Sequence, residues 1–121
     1  MKPLLEKDLE RFCTRFIKFV DAELRSFEVI SKDVIKVVIA TQDSSRDYDW
    51  VTITLEFNNV SDAKLLKDDK LSLIDMSDGL TILSQDSLFA FGVGNYDNIF
   101  GIKNAICYII SSSIKYKEEQ F

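Results

Sequence analysis

The chain has no histidine. That absence removes Ser-His-Asp and Cys-His catalysis and every zinc site that needs an imidazole ligand. Proline occurs once and glycine four times, and no stretch reads as a linker or an internal repeat. No short spacing separates the two cysteines, Cys13 and Cys107, and they read as buried free thiols. No apolar run approaches the ~20 residues needed to cross a bilayer, so no membrane association is expected. The opening "MKPLLEKDLERF" is charged throughout and lacks the apolar core of a secretory signal, which makes the cytoplasm the expected compartment.

What remains is an ordinary globular composition. The 121 residues fit a single domain, 1–121, and nine phenylalanines supply bulky core material. A chain of this length buries roughly two-thirds of its unfolded surface and needs no disulfide or structural metal to fold. The net charge of −5 is concentrated in the middle. Residues 1–40 and 101–121 each balance at +1, whereas residues 41–100 carry four basic and eleven acidic side chains, a balance of −7. Ten of those eleven acids are Asp. Asp collects in turns because its carboxylate caps nearby backbone N–H groups. The same carboxylates offer an acidic surface to a basic partner. The two readings are compatible, and both disfavour nucleic acid, whose phosphates require a basic patch.

Apolar positions recur at three and four residues through Leu5, Leu9, Phe12, Cys13, Phe16, Ile17, Val20 and Leu24. This spacing predicts one long amphipathic helix over residues 3–25, with Lys7, Glu10, Arg11, Lys18 and Asp21 on its solvated face. After residue 26 the period falls to two. Strands are expected at 27–30 and 34–41, joined by a hairpin at "SKD", and at 50–58, where Val51, Ile53, Leu55 and Phe57 share one face. "QDSSRDYD" (42–49) reads as an exposed loop. Further strands are expected near 63–66, 71–74, 80–84 and 87–93, with a long one over 104–119. The expectation is therefore an α+β domain. Its long N-terminal helix packs on a curved, mainly antiparallel sheet of about six strands, or lies within an incomplete barrel.

"GVGNYDNIFG" (92–101) holds three of the four glycines. A phosphate loop would need a third fingerprint glycine or a Lys-Ser/Thr, and a helix after it. Asn95, Asp97 and Asn98 instead mark a bend, and Asp97 would repel phosphate. Within it Tyr96 is a candidate anchor and Phe100 is assigned to the core. "SSIK" (112–115) matches the Ser-x-x-Lys spacing of acyl enzymes, but in a strand residues three apart point to opposite faces. "DYD" (47–49) lacks the glycine and ligand ladder of a calcium loop. No catalytic residue, cofactor or metal is expected.

The stretch "WVTITLEFNNVSDAKLL", then "IDMSDGLTIL" and the late strand "ICYIISSSIKYKEE", resembles the small acidic immunity proteins of bacterial polymorphic-toxin systems and related bacterial domains over residues 50–119. The resemblance implies a protein that binds and blocks a toxin rather than catalysing a reaction. It implies a basic toxin domain as partner, held by charge complementarity and a few aromatic anchors. The candidate partner-binding residues are Asp43, Asp47, Tyr48 and Asp49 in one loop, Asp75 and Asp78 in a second, and Tyr96 and Asp97 in a third. The alternative is an adaptor or assembly subunit that acts by strand addition or homo-oligomerisation, through an edge strand or through 105–117.

Overall fold

Valine, isoleucine and threonine crowd residues 34–58, and there the chain builds its longest hairpin. In a computed structural model describing residues 1–121, strand β3 (Val34–Asp43) and strand β4 (Asp49–Asn58) pair antiparallel from Val34 opposite Asn58 to Asp43 opposite Asp49. The alternation is obeyed as expected. Val51, Ile53, Leu55 and Phe57 are buried on the inner face of β4, and Thr52 and Glu56 lie on the outer one. Strand β2 (Glu23–Ser31) pairs with β3 through the expected tight turn at Lys32 and Asp33. A short β1 (Lys2–Leu4) and the last strand β9 (Ser113–Gln120) complete a five-stranded sheet of order β1-β9-β4-β3-β2.

A second sheet faces the first. It contains β5 (Asp62–Lys64), β6 (Leu80–Gln85), β7 (Leu88–Val93) and β8 (Tyr108–Ser111), in the order β5-β8-β7-β6, with every pair antiparallel. One core of 23 buried residues lies between the sheets, where the Phe91 ring meets Phe57 at 5.3 Å and Phe27 at 6.3 Å. The domain is α+β and antiparallel, but it has nine strands in two sheets rather than about six in one. The expected strand at 104–119 divides at Ser112. The part before it belongs to one sheet and the part after it to the other, so each buries a different face. Residues 71–74 form no strand; a 3-10 turn occupies Asp68–Leu73.

The expected helix over 3–25 is not present. Helix α1 covers only Leu9–Arg15, and residues 2–4 and 23–25 are strand. The right-handed helix stops at Phe16, and Ile17, Lys18 and Phe19 all take positive φ, 56°, 52° and 59°. This left-handed turn costs ~1–2 kcal/mol per residue. Its compensation is visible: Phe16 and Phe19 are fully buried and stack at 5.8 Å, and the Phe19 and Val20 N–H groups find the Phe16 and Ile17 carbonyls. The apolar period thus marks burial at Leu9, Phe12, Phe16 and Leu24, but the reversal exposes Val20 and buries Phe19, which lies outside the period. No helix is long and apolar enough to cross a membrane.

The reversal is locked from outside by Gly79. Its φ is +72°, and a Cβ added there would stand 2.1 Å from the Lys18 carbonyl oxygen. The Asp21 N–H also donates to the Met76 carbonyl at 2.9 Å, joining the same two segments. Gly79→Ala should therefore lower stability by about 2 kcal/mol or more in urea unfolding, since both the backbone angle and the space forbid it. Asp78→Ala, one residue away and exposed, should change stability by no more than about 0.5 kcal/mol.

Candidate functional site

An acidic groove of about 780 Å3 runs between α1 and the outer edge of β6. Its apolar floor includes Leu9, Cys13, Leu80 and Ile82. Four carboxylates line it, Glu6, Glu10, Asp78 and Asp97, against one ammonium, Lys18. Tyr96 also lines it. Three of the expected partner-binding residues, Asp78, Tyr96 and Asp97, therefore share one surface. Glu6, in a 3-10 turn that precedes α1, and Glu10, on α1, add to it, although Glu10 had read only as part of a solvated face.

The wall carrying Tyr96 and Asp97 is fixed by a short chain of hydrogen bonds. The Tyr96 N–H donates to Thr81 Oγ at 3.1 Å, and that hydroxyl donates to the Gly94 carbonyl at 2.7 Å. The Gly94 N–H donates to the Gly79 carbonyl at 2.9 Å. Gly94 takes φ +115° with the Tyr96 ring against it, so the bend needs glycine here. The glycine-rich stretch is a bend, as expected, but it enters one helical turn, α2 (Ile99–Ile102), that the sequence did not suggest. Asn98 caps that turn by accepting the Gly101 N–H at 2.7 Å. Ile102 fills a small cluster with Ala90 and Ile110, and Phe100 falls on the opposite side. Phe100 is 83% exposed, so its assignment to the core is overturned.

The remaining candidates lie elsewhere. Asp47, Tyr48 and Asp49 are exposed in the β3–β4 turn, outside the groove. Asp47 and Tyr48 take positive φ, which shapes that turn. Asp75 accepts the Ser77 N–H at 2.9 Å, and this bond holds its carboxylate below its usual range. It is a turn-forming residue outside the groove.

Asp43 does not belong to an exposed loop at all. It continues the inward alternation of β3 and is fully buried. Arg15 reaches it with Nε at 3.0 Å and a terminal nitrogen at 2.7 Å, and also grips Glu118 at 2.8 and 2.7 Å. Ser45 gives Asp43 its backbone N–H at 3.0 Å and its hydroxyl at 2.7 Å. Together these donors, the Arg15 guanidinium first, pull the Asp43 carboxyl down to about 2. Asp43 is thus the anchor of α1 and takes no part in an exposed surface.

Both thiols are free, and burial pushes each up to about 11. The Cys13 sulfur lies within hydrogen-bonding reach of the Ile82 backbone in the groove. Comparison with protein-family models, with curated proteins and with solved structures finds no match.

Two expectations follow for the Arg15 clamp. Arg15→Leu strands a buried carboxylate and should cost about 3 kcal/mol, the low end for a broken buried pair because Arg15 is itself partly exposed. For pH, unfolded Asp43 takes up a proton near 3.8 and the folded residue only near 2. The unfolded state therefore binds more protons between those values, so this contribution is complete above pH ~4.5 and is lost as pH falls toward 2. The melting temperature should drop through that window, and the drop should be shallower in Asp43→Asn.

Proposed function

We propose that the chain is a non-catalytic protein-binding domain that receives a basic surface of a partner protein in the groove between α1 and β6. Its best-supported role is that of an immunity-type inhibitor, blocking a basic toxin domain. The convergence of Glu6, Glu10, Asp78 and Asp97 around an apolar floor carries this reading. A groove lined by one sign of charge focuses field, speeds encounter with a partner of the opposite sign and rejects like-charged molecules. Tyr96 supplies an amphipathic ring at the rim, the type of side chain that anchors interfaces. The likeness to acidic immunity proteins over residues 50–119 points the same way.

A second reading, a homo-oligomeric adaptor, draws on a different surface. Trp50 and Phe121 are exposed on the outer face of the five-stranded sheet with ring centroids 5.9 Å apart, and Arg25 lies 5.1 Å over the Phe121 ring. Tyr48 is exposed two residues before Trp50. Strand addition through 105–117 is blocked over 108–110, which lies between β5 and β7, and over 114–116, which lies between β1 and β4.

The test compares two double reversals, Asp78→Lys/Asp97→Lys and Asp47→Lys/Asp49→Lys, against a partner captured at low salt. On the groove reading the first slows association by at least tenfold at low ionic strength, the difference shrinks in high salt, and the second has a smaller effect. Equal and negligible effects of both would remove the acidic surfaces from the interface. A dimer in sedimentation that ignores salt and dissociates in Trp50→Ala would favour the adaptor instead.

A further inference from the structure

A single turn of helix presents the most exposed large apolar side chain of the molecule. Phe100 lies in α2 and is 83% exposed, and neither apolar cluster includes it. The turn is held on its other side. Ile102 is buried against Ala90 and Ile110, and Ile99 packs on the same cluster. Residues three apart on a helix share a face, so Ile99 and Ile102 go inward while Phe100 goes out. Hydrogen bonds fix the backbone around the ring. The Ile99 N–H donates to Gln85 Oε1 at 2.8 Å. The Ile102 N–H donates to the Asn98 carbonyl and the Lys103 N–H to the Ile99 carbonyl, each at 3.1 Å. The phenyl ring therefore stands in water on a backbone that cannot turn it inward without losing Ile102 from its cluster.

The turn sits beside the acidic groove. A Cβ added at Gly101 would meet Cδ1 of Tyr96 at 3.5 Å, and the exposed Asp97 comes three residues before Phe100. Gln85, which holds Ile99, is followed by the exposed Asp86 in the β6–β7 turn. Lys103, the cation at the end of α2, is taken by Asp62 at 3.6 Å. No ion pair engages Asp86 or Asp97. The unpaired charges on the two segments that carry and support the ring are thus both negative.

We infer that Phe100 is the apolar anchor of the partner interface: the ring enters an apolar socket on the partner whose rim is basic. This rests on the groove reading and extends the contact beyond the groove. Insertion takes the ring out of water, and aromatic side chains desolvated in a pocket carry much of the energy of an interface. A phenylalanine has only two side-chain torsions to lose, and the backbone beneath it is already fixed. Cations on the rim of the socket would meet Asp86 and Asp97. The rest of the partner's basic surface would continue past Tyr96 into the groove. A two-fold contact between copies through Phe100 would instead set these acids against each other.

The probe is a β-cyclodextrin bearing an amino group on every primary carbon, an apolar cavity that admits a phenyl ring and has a cationic rim. Neutral β-cyclodextrin is the comparator. At low salt the cationic form should shift the nuclear resonances of residues 99–102 and bind there at least tenfold more tightly than the neutral form, an advantage that high salt removes. Asp86→Lys/Asp97→Lys should cancel the preference. At Phe121, where Arg25 lies 5.1 Å over the ring, the cationic rim should bring no gain. Equal binding of the two forms at Phe100, or none, overturns the basic-rimmed socket. Against the partner captured for the groove test, Phe100→Ala should raise the dissociation rate at least tenfold and leave association nearly unchanged, because buried anchors act on dissociation and charges on association. Its melting temperature should match the parent's, since the ring packs on nothing. If dissociation is unchanged in Phe100→Ala while Asp78→Lys/Asp97→Lys slows association, the anchor is overturned and the groove reading stands. If neither variant alters binding, both are overturned. Self-association of the free protein that Phe100→Ala abolishes would assign the ring to a second copy and overturn the partner socket.

Discussion

One guanidinium holds the acidic groove open. Arg15 forks between Asp43 and Glu118, and through them ties the end of α1 to the β3–β4 hairpin and to β9. Isolated helices shorter than about 12–15 residues are marginal in water. At seven residues, α1 persists because its side chains are held by the rest of the molecule. Phe12 meets Phe16 at 5.1 Å and Tyr116 at 4.9 Å, which supplies the apolar half of that hold. Arg15 supplies the directional half. A lysine would place one point charge where two carboxylates each receive paired N–H donors. The position of Glu6 and Glu10 thus depends on a residue that never touches the groove.

The other boundaries of the groove are fixed by backbone constraints. The left-handed turn at 17–19 would unwind without the packing of Phe16 and Phe19, and Gly79 is the residue that lets the neighbouring turn close against it. Gly94 and Thr81 then set the path of the Tyr96–Asp97 wall. Each constraint is local and costs free energy, and each lies beside the groove. Strained positions persist where surrounding structure over-determines them, and a surface shaped in advance loses less entropy on binding.

Much of the sheet was legible in the sequence. Period-two alternation located β3 and β4 and assigned the inner face of β4 correctly. The same alternation, continued past Ile39 to Thr41 and Asp43, would have marked Asp43 as inward. Its polar character assigned it to a loop instead, because a buried carboxylate reads as surface until its arginine is known. The helix was over-extended because Phe16, Ile17, Val20 and Leu24 continue a spacing of three and four through a backbone reversal that no glycine announces. The hairpin turn at Asp86 and Ser87 likewise carries positive φ without glycine. The second sheet had a faint signal: Ile109, Ile110 and Ser111 are consecutive and all buried, which a half-exposed strand does not allow. Convergence of Asp78 with Tyr96 and Asp97 was not legible, since it follows from the pairing of β6 with β7 and not from any local pattern.

The charge of the groove also bears on self-association. A groove with an apolar floor invites contact with the same groove of a second copy. Here that encounter would bring Glu6, Glu10, Asp78 and Asp97 of one copy against the same four carboxylates of the other. Repulsion between them discourages self-pairing, whereas a basic segment meets attraction at each of those positions. Charge would then act selectively, closing the groove to copies of the chain and leaving it open to a partner of opposite sign. The single Lys18, within the left-handed turn, offsets only one of those four carboxylates.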